Sequence, residues 1–225
     1  MSSIFRNLDW SVLTGALLSV IPALICITFH ELAHGFTAYR LGDPTAKDMG
    51  RLTLNPIKHI DIFGLLMMVL FRFGWAKPVP VDMRNFKRPK WYMAVTAVAG
   101  PASNIALAVI VLFIYGLVFM PLMISPALHG AGETVLDIVQ RTAYISVALA
   151  VFNFIPIPPL DGSKVLFSFF PEEAYYKLMR YERYGIILLI VVLNTNLFNN
   201  TIGQLTFSLF NRLTGIAQFA FRLVN

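Results

Sequence analysis

An uncharged, largely apolar run from Trp10 to Phe29 leads directly into His30-Glu31-Leu32-Ala33-His34. The run has the length and character of a membrane helix, and three ionisable side chains within five residues at its end are costly unless they serve a function. On a helix, histidines at i and i+4 project from one face and can share a single zinc ion, with Glu31 placed beside the metal's water. The pattern predicts a zinc hydrolase set into a membrane.

Composition extends that reading to the whole chain. Of 225 residues, 57% are hydrophobic and 13% charged, and the mean hydropathy is +0.68, well outside the range of soluble domains. The net charge of +6 comes from basic residues clustered between the apolar runs. These read as topology determinants and lipid-headgroup contacts, with no nucleic-acid surface. The single cysteine, Cys26, excludes an internal disulfide, so helix packing must hold the fold, and a bound metal could add to it. Residues 1–9 lack the basic segment and small-residue cleavage site of a secretory signal, and the first helix is expected to be retained.

The expected fold is an all-α multi-span membrane protein with about four to six membrane helices or re-entrant segments and a small β ribbon near the cytoplasmic face. Residues 1–225 form a single domain in this reading, since no repeat or linker interrupts them. The first helix should run from Ser11 to Leu41 with a kink at Pro22. Arg51–Leu54 and Lys77–Val81 look like short strands, separated by an apolar run, Ile62–Phe71, too short to span comfortably. A second long helix, Trp91–Met120, carries Gly100-Pro101 and the small residues Ala97, Ala99, Ala102 and Ser103, which let another helix approach closely. A third, Thr134–Phe154, breaks at Pro156, Pro158 and Pro159 just before Leu160-Asp161-Gly162. Tyr184–Leu193 is a fourth apolar run. The last segment carries a polar stripe of Gln204, Ser208, Asn211, Gln218 and Arg222 and either crosses the membrane against other helices or lies on its surface.

Charge asymmetry sets an orientation. Ten Lys or Arg lie between Arg40 and Lys90, four between Lys164 and Arg183, and none between Pro121 and Glu133. The first two loops are therefore expected in the cytoplasm, which brings the histidines and Asp161 to the same side. A catalytic zinc takes three protein ligands and leaves a fourth position for water. Asp161 is the preferred third ligand and Asp61 its rival, whereas Glu172 and Glu173 suit the start of a helix. Cys26, one turn before His30, reads as a packing residue, and His59 as an interfacial one.

Three motifs in order carry a resemblance: His30-Glu31-Leu32-Ala33-His34, Gly100-Pro101-Ala102-Ser103-Asn104, and Asn153-Phe154-Ile155-Pro156-Ile157-Pro158-Pro159-Leu160-Asp161-Gly162. With Gly74-Trp75-Ala76-Lys77-Pro78-Val79-Pro80-Val81, they make the chain similar to the site-2 protease family of intramembrane zinc metalloproteases, in the compact form without a PDZ domain. The resemblance implies one zinc per chain on His30, His34 and Asp161, water activation by Glu31, and a grip on the substrate carbonyl or its oxyanion by Asn153. Asn104 would be structural or substrate-positioning. The chain departs from the family's pattern at Ser163, where a second glycine is usual, and the family's common helix ahead of the zinc helix is expected to be absent.

The implied partners are transmembrane protein or peptide substrates and the lipid bilayer, in the cell membrane with the active site towards the cytoplasm. A transmembrane helix hides its carbonyls in its own hydrogen bonds, so it must be unwound before attack. Residues 51–54 and 79–82 are expected to offer a sheet edge for the extended substrate; alternatively, they form a ribbon that merely covers the site. Two competing functions remain at this level. A zinc-binding channel or transporter would place ionisable groups along several helices, and a catalytically silent member would bind membrane proteins without cutting them.

Overall fold

The apolar runs become helices because only internal hydrogen bonding satisfies the backbone in hydrocarbon. The computed structural model describes residues 10–71, 76–125 and 129–224. Its helices are α1 (Trp10–Arg40), α2 (Thr45–Asp48), α3 (Ile62–Phe71), α4 (Pro89–Ile124), α5 (His129–Asn153), α6 (Asp161–Phe167), α7 (Glu172–Tyr181), α8 (Gly185–Leu193) and α9 (Asn196–Val224). Among the described residues three stretches are long and apolar enough to cross a membrane: Leu18–Arg40, Pro89–Ile124 and Gly130–Asn153. The chain is an integral membrane protein. At about 1.5 Å per residue, α3 and α8, of 10 and 9 residues, fall well short of a membrane's thickness.

Helix α4 is the hub, packing against α1, α5, α6 and α9. Its small residues permit this. Ala108 and Leu112 of α4 join Ala143, Val147 and Val151 of α5 and Phe210 of α9 in one buried cluster. Gly116 touches α9 so closely that a Cβ there would lie 2.1 Å from the Ala217 carbonyl oxygen. The polar stripe expected on the last segment is real and faces outward: Gln204, Ser208, Asn211, Gln218 and Arg222 are exposed, while Thr206, Phe210 and Ala220 are buried. A second cluster, Ile155, Leu160 and Leu189, fastens α8 beneath the proline-rich turn after α5.

The expected β ribbon does not form a ladder among the described residues. Strand-like pairing is limited to one antiparallel bridge between Ile60 and Ala76, beside the Lys77 N–H donating to the His59 carbonyl. Arg51–Leu54 is a bend, tied to the second segment by the Arg51 guanidinium, which donates to the Lys77 carbonyl at 2.7 Å. Pro78 and Pro80 explain the outcome, because each removes a donor that a ladder would need. Gly74 and Trp75 lie outside the described residues.

The connection from α1 to α4 is instead organised by Asp43, which is fully buried. Its carboxylate accepts from the Thr45 N–H and hydroxyl, the Asp82 N–H and the Asn85 amide. Burial opposes its ionised form, but these donors outweigh it and hold the carboxyl below its usual range. A depressed folded-state pKa adds stability that is fully present above the ordinary carboxylate range and is lost as pH falls from that range through the depressed folded-state value. Asp43→Ala, which orphans these donors, should cost about 3 kcal/mol. Thermal unfolding in detergent should also show a smaller loss of stability between pH 7 and pH 3 for Asp43→Asn than for the unaltered chain.

Candidate metal centre

His30 and His34 occupy successive turns on the inner face of α1 and are both buried. Asp161 begins α6 directly after the proline-rich break and is buried beside them. The His30 Nε2 lies 2.9 Å from the His34 Nε2, and the Asp161 Oδ2 is 3.1 Å from each. Two histidines and a carboxylate distant in sequence thus turn three potential ligand atoms towards one point.

The chemistry of these donors fits zinc. The His34 Nδ1 lies 2.7 Å from the backbone carbonyl of Thr96. A carbonyl only accepts, so Nδ1 carries the proton, and in the neutral ring Nε2 is left with a lone pair. That lone pair faces the His30 Nε2 and the Asp161 Oδ2, an arrangement that a shared cation would satisfy. Tetrahedral donors at about 2.0–2.2 Å from zinc stand roughly 3.3 Å apart, so the trio needs to open by only a few tenths of an ångström. Two imidazoles and one carboxylate leave the fourth position free.

Helix α4 backs this trio with a stripe of residues four apart. The Thr96 carbonyl meets His34, Gly100 lies against both rings, and the Asn104 amide nitrogen is 3.2 Å from the His30 Nδ1. A Cβ at Gly100 would sit 2.4 Å from the His34 Nε2 and 2.6 Å from the His30 Cε1. Glycine here is a matter of space.

The site opens into a cavity of about 340 Å³ whose walls include Glu31, Val79, Asn153, Asp161, Lys164 and Glu182. The Glu31 carboxylate accepts the Val79 N–H at 2.7 Å. Gly35, one turn further along α1, lets this segment close in, since a Cβ there would be 2.9 Å from the Val79 side chain. Asn153 donates one amide N–H to the Leu149 carbonyl and retains a second. Lys164 stands 3.6 Å from the Asp161 Oδ1 and 3.4 Å from the Glu182 Oε1. Burial disfavours the ionised Asp161, but its contacts with His30 and His34, and the Lys164 charge, hold its carboxyl well below the usual range.

The residues left aside fall elsewhere. Asp61 accepts the Gly64 N–H at the start of α3, and Glu172 and Glu173 begin α7. The Cys26 thiol approaches the Thr142 carbonyl. His59 is buried against the Thr53 carbonyl. Ser163, in place of a glycine, is buried with its hydroxyl on the Leu160 carbonyl. Sequence reasoning missed the Thr96 carbonyl, the Val79 N–H and Lys164. Only Lys164, one helical turn after Asp161, carries a signal in its residue type.

Comparison with known proteins agrees with this chemistry. Residues 120–195 match the model of peptidase family M50, a segment that includes Asn153 and Asp161. The chain is 39% identical over 178 residues to "Putative zinc metalloprotease YwhC" of Bacillus subtilis, covering 79% of this chain and 80% of that protein. It is 29% identical over 200 residues to "Putative zinc metalloprotease Rip2" of Mycolicibacterium smegmatis, covering 87% and 73%. "Putative zinc metalloprotease MJ0611" of Methanocaldococcus jannaschii is 31% identical over 164 residues, covering 72% and 75%. No solved structure matches the chain.

The packing at residue 100 makes a direct prediction. Gly100→Ala should drive a methyl group into both imidazoles and lower bound zinc to below a tenth of the unaltered level, measured by elemental analysis of detergent-purified protein. Gly203→Ala, where a Cβ meets open space, should bind zinc normally.

Proposed function

Because the chain belongs to peptidase family M50 and is a zinc metallopeptidase, we propose that it is a single-domain intramembrane protease that cuts peptide bonds within or near transmembrane segments of other membrane proteins. The observation that carries this reading is the convergence of His30, His34 and Asp161 at the end of a helix apolar and long enough to cross a membrane. Basic residues flanking that end support an active site towards the cytoplasm, in the cell membrane.

His30, His34 and Asp161 would hold the metal. Zinc bound by such a set supplies a Lewis acid and a water acidified towards a pKa of about 7. Glu31, the next residue after His30 on α1, takes the proton from the attacking water and returns it to the departing amine. The free amide N–H of Asn153 is available to the oxyanion that develops on the substrate carbonyl. The cavity is lined by these residues together, with Val79 and Val81 in its wall.

The segment 77–81 is the proposed substrate-pairing edge. Prolines at 78 and 80 hold residues 77 and 79 in the extended region. In an extended chain alternate residues face one side, so the side bearing Lys77, Val79 and Val81 has all the donors and the other has none. The donor side is the one that reaches Glu31, through the Val79 N–H. An unwound substrate pairing there takes over that N–H and leaves Glu31 free to act as base. The runner-up, a zinc channel or transporter, lacks support from the described polar contacts: in α5 the Asp137–Arg141 pair is half-exposed and satisfies itself at 2.7 Å.

Two measurements test this reading. In proteoliposomes with a panel of transmembrane peptides, Glu31→Gln should keep its zinc and lose at least about 100-fold in cleavage rate; cleavage at the unaltered rate would remove Glu31 from the mechanism, and zinc flux through Glu31→Gln vesicles would favour transport. In the same background, a cysteine replacing Val81 should form a disulfide with a cysteine placed near the cleaved bond of a bound substrate. A series across residues 79–81 that never captures substrate would exclude edge pairing.

A further inference from the structure

The two histidines of α1 are supported in chemically different ways. The His34 Nδ1 faces the Thr96 carbonyl, which can only accept, so its proton position is fixed. The His30 Nδ1 faces the Asn104 side-chain amide at 3.2 Å. An amide has a donor end and an acceptor end, and the end that faces the ring decides which nitrogen carries the proton. With Nδ2 towards the ring, the bonded His30 Nδ1 must be bare, and the neutral ring then bears its proton on Nε2, the atom aimed at His34 and Asp161. That tautomer cannot ligate metal through Nε2. With Oδ1 towards the ring, Nδ1–H donates and Nε2 offers its lone pair.

Asn104 has no competing role that explains it. Its side chain is fully buried among apolar helices, where an amide is costly. The Oδ1 atom has no hydrogen-bond partner in the orientation that turns Nδ2 to His30. The backbone at this position is held firmly, with the Asn104 carbonyl accepting the buried Ser146 hydroxyl at 2.8 Å. A half-turn of the side chain exchanges its two ends without moving that backbone.

We propose that Asn104 is the positioning residue for His30: its Oδ1, turned to the ring, accepts the Nδ1–H and so presents the Nε2 lone pair to zinc. The inference rests on His30 being a zinc ligand, and it assigns Asn104 an action through that ring with no contact to substrate. Thr96 and Asn104, eight residues apart on α4, then perform the same task for His34 and His30, four apart on α1, and Gly100 between them leaves room for both rings.

Zinc affinity, measured by chelator competition on the full chain in detergent, tests this without relying on cleavage. Asn104→Leu, which keeps the approximate shape and removes the acceptor, should weaken zinc binding about 10–100-fold. Asn104→Asp, whose carboxylate can only accept, should hold zinc at least as tightly as the unaltered chain. Either variant decides alone if the other does not fold: a folded Asn104→Leu with unaltered affinity, or a folded Asn104→Asp that loses zinc, overturns the proposal. A merely structural role predicts instead that both substitutions lower the thermal stability of the metal-free protein and leave zinc affinity where it was. Failure of the underlying ligand assignment is distinguishable, because His30→Ala would then bind zinc as the unaltered chain does.

Discussion

The structure depends on how closely α4 can approach α1. Three potential ligand atoms converging in an apolar bundle need two things to share a cation, close approach and a hold on each ring from behind. Helix α4 meets the second demand with a carbonyl at Thr96, bare backbone at Gly100 and an amide at Asn104. The same close approach continues along α4, where Ala108, Leu112 and Gly116 bring α5 and α9 into contact. Small residues on one helix therefore serve the metal site at one end and the bundle core at the other. In lipid, where the hydrophobic effect does not drive helices together, such packing is what remains to hold them.

The long helices were legible because hydrocarbon leaves the backbone one economical solution, and their observed ends fall within a few residues of the apolar limits. Asp161 could be picked out as the preferred third ligand because a run of prolines must end a helix, and a carboxylate left at such an end has a reason to be there. The groups that orient the histidines were less legible, for a physical reason. A main-chain carbonyl such as that of Thr96 carries no residue signature, and its use follows only from the depth at which two helices cross. The Val79 N–H is hidden in the same way. Asn104 stood in a motif, but its partner could not be read from sequence because the distance between residues 30 and 104 is a tertiary fact. The expected ribbon failed where a local pattern was overruled: alternation around residues 77–81 suggested a strand, and its prolines deny one side the donors a ladder needs.

A charged contact also ties the polar region after α6 to the site. Lys164 bridges Asp161, on its own helix, to Glu182 beyond α7, so the turn following α7 is fastened to a proposed metal ligand. All three side chains are largely buried, which makes the pairing sensitive to the loss of any one partner. A cation so near the Asp161 Oδ1 also biases which carboxylate oxygen faces the histidines, leaving Oδ2 to do so.

Glu31 links the resting geometry to the proposed reaction. The Glu31 Oε2 accepts the Val79 N–H at 2.7 Å, and the carboxylate keeps its other oxygen for a proton. In the proposed pairing the Val79 N–H finds a second acceptor in the carbonyl of an extended substrate, which would release the Glu31 Oε2 as well. Substrate pairing and full release of the proposed base would then be one event, since the hydrogen bond that aligns the substrate is the one withdrawn from Glu31. Such coupling would let a hydrolytic site at a membrane surface hold part of its base in reserve until a peptide, and not merely water, has entered.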